Sequence, residues 1–338
     1  MRRRDLVSLL GLPAALAGQA RAQPASTDTS TTIDSDGTVH IARVIPVPRT
    51  VSPEAYAKLV TGEKWAPDEG SKESAALLEK MRAAYPVNIE HTTVGGVKAK
   101  FVTPNNPDPA KKDRVLICLH GGGFETDSGS FLEAIPIAGL TGTRVISVEY
   151  RLAPKFPFPA AVEDSVAVYK EALKTHPPAK IAIYGTSAGA ILTAETAVQL
   201  TKSGLPLPAA LGFFSGFADM ARSADAGHIY SIPGFMGFRP PSGRPLAAYV
   251  GKTDPKDSVL SPMYADLKGF PPTLCMTGTR DICLGGTVDF HRALLRAGVD
   301  AHLMVFDALP HAHWYSFHLP ESREALEAQA RFLDRHLA

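Results

Sequence analysis

From residue 97 onward the chain alternates between two kinds of apolar pattern. Near-continuous apolar runs at 114–120 (RVLICLH), 144–150 (RVISVEY) and from Ile181 to the glycine at 185 read as strands buried on both faces, as a parallel sheet requires. Segments 131–140 and 161–175 lie between them and have the length and spacing of helices. Strand-like runs follow at 209–214, 273–277 and 301–306, and one precedes them at 97–102. A closing helix is predicted over 321–337, where Leu326, Ala330, Leu333 and Leu337 make one apolar face. Upstream, 53–64 and 71–85 read as helices, with Leu78, Met81 and Tyr85 recurring at helix spacing in the second. The alternation predicts an α/β fold with a mostly parallel central sheet flanked by helices, and active groups on the loops at the strands' C-terminal ends.

The N-terminal region does not share this pattern. Three arginines precede an apolar run from Leu6 to about Ala17, and Ala20-Arg21-Ala22 follows before Gln23. This is the form of an export signal cleaved after Ala22, and its apolar run is too short to span a bilayer as a permanent helix. Arg3-Arg4-x-Leu6 also resembles a twin-arginine signal, so the mature protein is expected to be exported to a bacterial periplasm without stable membrane insertion. Residues 23–50 are rich in Ser, Thr, Asp and Pro and read as a linker leading into an edge strand near 40–47. The remainder, 51–338, has the size of one large domain or a domain with an inserted cap.

Composition narrows the function. The net charge of +1 argues against a nucleic-acid or membrane-surface role. Three cysteines, Cys118, Cys275 and Cys283, are too few for a disulfide framework or a zinc site, and the first two lie in strand-like runs as buried thiols would.

The chemistry gathers at the predicted strand ends. Gly185-Thr186-Ser187-Ala188-Gly189 matches the nucleophile-elbow pattern G-x-S-x-G, with a strand before it and a small-residue helix after it. In His120-Gly121-Gly122-Gly123-Phe124, backbone N–H groups unhindered by side chains can serve an oxyanion together with the N–H of Ala188. His120 reads as a side chain that pins this loop. A base and an orienting acid are expected in the order Ser, Asp, His, which selects Asp281 and His311; His313 competes as base and Asp307 as acid.

HGGGF, YRLAPKFPFPAAVED (150–164), GTSAGA, the Asp281 loop and LPHAHW together resemble the hormone-sensitive-lipase-like bacterial esterases of the α/β-hydrolase fold, from about residue 97 onward. The resemblance implies a triad of Ser187, Asp281 and His311 and an oxyanion hole of Gly122, Gly123 and Ala188, with Gly121 adjacent. It implies hydrolysis of a small-molecule carboxylic ester, with a short or medium acyl chain, using no metal or organic cofactor. Thr186 stands where the family usually carries Asp. An inserted cap is expected from 51–90 and 215–250, the latter carrying Phe217, Ile229, Tyr230, Phe235, Met236 and Phe238. The same triad could serve a lactone or an acetylated carbohydrate, and a different class, a non-catalytic binding protein on this fold, would have no need of it.

Overall fold

A computed structural model describes residues 30–42, 46–65, 71–229 and 246–337. The expected signal, 1–22, and Tyr230, Phe235, Met236 and Phe238 of the expected cap lie outside the described residues. The chain divides into two compact units, 1–46 and 47–338.

In the first unit, β1 (Ser30–Ile33) and β2 (Val39–Ala42) form an antiparallel hairpin, with Ile33 opposite Val39. The edge strand expected near 40–47 is thus, in its described part, one arm of a separate two-stranded sheet. Its partner strand is too short and polar to stand out in the sequence.

The second unit opens with α1 (Pro53–Thr61) and α2 (Lys72–Ala84), each N-capped by a serine hydroxyl, Ser52 and Ser71. Then come β3 (Val87–Val94), β4 (Val97–Pro104), β5 (Val115–Leu119), α3 (Ser130–Thr141) and β6 (Arg144–Val148). After these follow α4 (Ala160–Ala172), β7 (Ile181–Thr186), α5 (Ala188–Lys202), β8 (Ala210–Phe214), and the short α6 (Asp225–Ile229) and α7 (Ala247–Val250). The chain closes with β9 (Thr273–Arg280), α8 (Leu284–Arg296), β10 (Ala301–Pro310) and α9 (Pro320–His336).

Eight strands make one sheet in the order β10-β9-β8-β7-β5-β6-β4-β3. The six from β10 to β6 are parallel, while β4 and β3 run antiparallel at one edge. Strand periodicity divides the core in two. Val115, Ile117, Leu119 and Ile183 pack on one face with α4, α5 and α8; Leu116, Cys118, Ala182 and Tyr184 pack on the other with α3 and α9. Both faces being covered is why these strands read as unbroken apolar runs. β3 escaped the sequence pattern because it is an edge strand with only its ends, Val87 and Val94, fully buried. Residues 87–90 of the expected cap segment therefore belong to the sheet.

Two boundaries near the site differ from expectation. β9 continues through Arg280, so Asp281 follows the strand directly. β10 runs on to Pro310 past a register shift between Phe306 and Pro310, and Ala308 sits there at φ 57°. Such a bulge bends a strand and re-aims the residues beyond it, here His311.

Candidate active site

Four parallel strands deliver the expected residues at their C-terminal ends. β5 leads into the glycine loop at 121–123, β7 into Ser187, β9 into Asp281 and β10 into His311. The elbow is built from crowding. A Cβ on Gly185 would lie 2.3 Å from the Leu119 carbonyl oxygen, and one on Gly189 only 1.8 Å from it. Only glycine permits β5 to approach the strand–helix turn this closely. Between the two, Ser187 is held at φ 59°, ψ −120°, at the start of α5, with its N–H donated to the Phe214 carbonyl at 2.8 Å. A non-glycine residue at positive φ is strained and persists only where its surroundings hold it.

Asp281 is fully buried and its two oxygens are saturated. His311 Nδ1 lies 2.8 Å from Oδ1, which also accepts the Cys283 N–H at 2.8 Å. Oδ2 accepts the hydroxyls of Ser215 and Thr277 at 2.5 and 2.7 Å. Burial opposes the charge on Asp281, but His311 and these donors outweigh it and hold the carboxyl below its ordinary value. The imidazole is thereby fixed through Nδ1, leaving Nε2 as the nitrogen that can take a proton.

The chain beyond His311 is docked on the elbow. The Ala312 N–H reaches Ser215 Oγ at 3.5 Å, and Trp314 Nε1 donates to Thr186 Oγ1 at 3.2 Å. Thr186 thus takes up the indole N–H from the position where the resembling family carries an acid. Ser187 Oγ makes no hydrogen bond to His311 among the described residues, and such pairs often close only around substrate.

The competing assignments separate on geometry. His313 is fully buried, packs against the Phe306 ring at 4.7 Å and the Trp314 ring at 5.0 Å, and has neither ring nitrogen hydrogen-bonded. Burial pushes its pKa down to about 3, so it is a neutral core residue. Asp307 is exposed on β10 and bonds Thr50 and Thr279, whereas His311 Nδ1 is bonded to Asp281.

In the glycine loop, the N–H groups of Gly122 and Gly123 and that of Ala188 are donated to no described residue. A Cβ on Gly122 (φ +118°) would lie 2.0 Å from the Thr126 carbonyl oxygen, so this loop closes only on glycine. Gly121 requires a correction: its N–H is donated to the buried Glu133 carboxylate at 3.0 Å and is not available to an oxyanion. His120 pins the loop as expected, with Nδ1 2.7 Å from the Gly121 carbonyl and its ring stacked on Tyr150 at 4.2 Å.

Asp281, Cys283 and His311 form the one group of potential metal ligands among the described residues, their donor atoms lying within 4.8 Å of one another. Two of the three are already hydrogen-bonded to each other, and burial followed by the charge of Asp281 raises the Cys283 thiol well above its ordinary value. Sequence reasoning missed Ser215, Thr277 and Glu133. Ser215 and Thr277 leave no signal, being common residues at strand ends; Glu133 does, as the lone charge in an otherwise apolar helix (SFLEAIPIAGLT).

A family model described by the α/β-hydrolase fold matches residues 116–315. An acetyl-hydrolase from Streptomyces hygroscopicus is 33% identical over 245 residues, covering 71% of this chain and 81% of its own. Among solved structures, an esterase superposes with a TM-score of 0.74 at 32% identity, covering 88% of this chain and 98% of its own. An esterase of the bacterial hormone-sensitive lipase family superposes at 0.70 with 30% identity, covering 85% and 99%.

Proposed function

Because the chain belongs to the α/β-hydrolase family, within its hormone-sensitive-lipase-like esterases, and is a serine ester hydrolase, we propose that it cleaves short to medium acyl esters through an acyl-Ser187 intermediate. The observation that carries the assignment of roles is the buried, saturated Asp281 carboxylate 2.8 Å from His311 Nδ1, on a loop docked against the Ser187 elbow.

His311 Nε2 takes the Ser187 hydroxyl proton as Oγ attacks the ester carbonyl. The N–H groups of Gly122, Gly123 and Ala188 donate to the developing oxyanion, and Asp281 stabilises the imidazolium. The alcohol leaves with the proton held on Nε2. Water, deprotonated by the same nitrogen, then attacks the acyl-serine, releasing the acid and restoring Ser187. Acyl selection is assigned to a cap drawn from the helical segments within 51–90 and from 215–250.

The experiment is a series of p-nitrophenyl esters from acetate to palmitate, run on the wild type and Ser187→Ala. Turnover that peaks at short or medium chains and vanishes in Ser187→Ala is expected. Folded wild-type protein with no turnover of any ester would favour a binding role instead. A strict preference for acetate would move the reading toward the chemistry for which the Streptomyces relative is named.

Export is also proposed, from the basic start and the Ala20-Arg21-Ala22 site. N-terminal sequencing of protein from its native host should read from Gln23; retention of Met1 or Arg2 would sink it. Among the described residues no helix is long and apolar enough to cross a membrane.

A further inference from the structure

One buried acid in this chain has no place in the acyl-transfer steps, yet it touches three of the segments that perform them. Glu133 on α3 is 3% exposed. Its Oε1 accepts the Gly121 N–H at 3.0 Å and the Tyr315 hydroxyl at 2.6 Å; its Oε2 accepts the Thr186 N–H at 3.1 Å, with Cys118 Sγ at 3.9 Å. Gly121 opens the oxyanion loop, Thr186 immediately precedes the nucleophile, and Tyr315 lies four residues beyond His311. The carboxyl group therefore joins the oxyanion loop, the strand before the nucleophile and the segment beyond the base in one hydrogen-bonded node.

The surrounding chain is shaped around this node. A Cβ on Gly129 would lie 2.1 Å from Glu133 Oε1 and 2.5 Å from the Tyr315 hydroxyl. A Cβ on Gly121 would lie 3.1 Å from that hydroxyl and 3.4 Å from Ser187 Cβ. The Glu133–Tyr315 pair thus fills space that two glycines leave open directly behind the serine. Burying an acid is costly unless its polar atoms are partnered, and here three donors from the site and the Cys118 thiol surround the two oxygens.

We propose that Glu133 is a positioning residue for the ester hydrolysis: it sets the separation between the oxyanion loop and the Ser187 elbow and holds the His311 loop against both. This rests on the reading of Ser187 as nucleophile and Gly122, Gly123 and Ala188 as oxyanion donors. The Gly121 N–H, turned toward Glu133, orients the next two peptides of the loop. The Thr186 N–H does the same for the residue before the strained serine. Both oxygens of a carboxyl group accept whether or not it carries its proton, whereas glutamine, with the same reach, has one acceptor oxygen and in either amide orientation abandons the Gly121 N–H or the Thr186 N–H.

The test measures kcat and KM for a p-nitrophenyl ester in Glu133→Gln and Tyr315→Phe, with competent sites counted by a p-nitrophenyl phosphonate that releases one chromophore per reactive serine. Counting sites separates misfolded protein from folded protein with a displaced loop. In Glu133→Gln, kcat per titrated site should fall about tenfold to a hundredfold with KM within about twofold, since small misplacements of oxyanion donors act on the transition state. Tyr315→Phe should show the same split with a smaller fall, and it decides the matter if Glu133→Gln yields no titratable sites. Wild-type kcat per site in the deciding variant, or a loss confined to KM, overturns the proposal. Ser187→Ala is run alongside: activity retained there would overturn the reading of the site itself, whereas a dead Ser187→Ala beside a fully active Glu133→Gln removes only the role given to Glu133.

Discussion

Two histidines two positions apart carry opposite physics. His311 is 22% exposed with Nδ1 committed to a buried carboxylate, whereas His313 is sealed among aromatic rings with both nitrogens unbonded. Removing His311 leaves Ser187 without a proton acceptor, so His311→Ala should lower kcat by about a thousandfold or more with little change in folding. His313→Ala should keep activity within about tenfold, because it touches no reacting atom and acts through packing of the loop. Steady-state kinetics on the two variants checks both values. If His313→Ala were the dead enzyme, the roles would have to be exchanged.

Among the elements, the first helix is tied to the last. Ser52 caps α1 by accepting the Ala55 N–H at 3.1 Å, and its hydroxyl and N–H are both donated to Glu321 in the first turn of α9. Ala55 itself is buried in the core cluster that includes Leu326 and Ala330 of α9. Ser52→Ala removes the cap and the hydroxyl contact to Glu321, and should cost about 1–2 kcal/mol of stability. The expected signature is a lower Tm with unchanged kcat, since no reacting group is touched. Calorimetry and kinetics on the same preparation check it; a fall in kcat with Tm unmoved would mean that α1 acts on the site directly.

At the scale of the whole molecule, two buried groups make stability depend on pH in opposite directions. Burial raises Glu133 from 4.5 to about 8, against the donors from Tyr315 and Gly121 and helped by the charge of Asp127. The folded state therefore holds a proton that the unfolded chain releases, and stability falls as pH rises from about 4.5 through about 8. Burial lowers His313 from 6.5 to about 3, so the unfolded chain binds a proton that the fold refuses, and stability falls as pH drops below about 6.5. The two slopes oppose each other between the ordinary values of these groups, leaving an alkaline limb due to Glu133 and an acid limb due to His313. Measured as Tm against pH, Glu133→Gln should lose stability less steeply than the wild type on the alkaline side. His313→Phe should do so on the acid side. Curves parallel to the wild type in both variants would mean that neither group titrates in this way.

Local physics made much of this protein legible in its sequence. Strands buried on both faces must be apolar throughout, so the parallel strands from β5 to β9 could be read from their runs, and the G-x-S-x-G and HGGG patterns report backbone crowding that only glycine tolerates. Chain order, the predicted strand ends and the family resemblance together pointed to Ser187, Asp281 and His311, and a parallel sheet delivers all its C-terminal ends to one side. What required the tertiary structure was every relation between segments far apart in the chain. The half-buried edge strand β3 has too weak a pattern to announce itself, and the bulge that aims His311 depends on pairing with β9. The choice of His311 over His313 rests on which ring reaches Asp281. The N–H of Gly121 points away from the oxyanion site because a glutamate on a different element takes it. Sequence patterns record what each residue needs from its immediate neighbours; which buried donor meets which buried acceptor is decided only when the sheet brings those segments together.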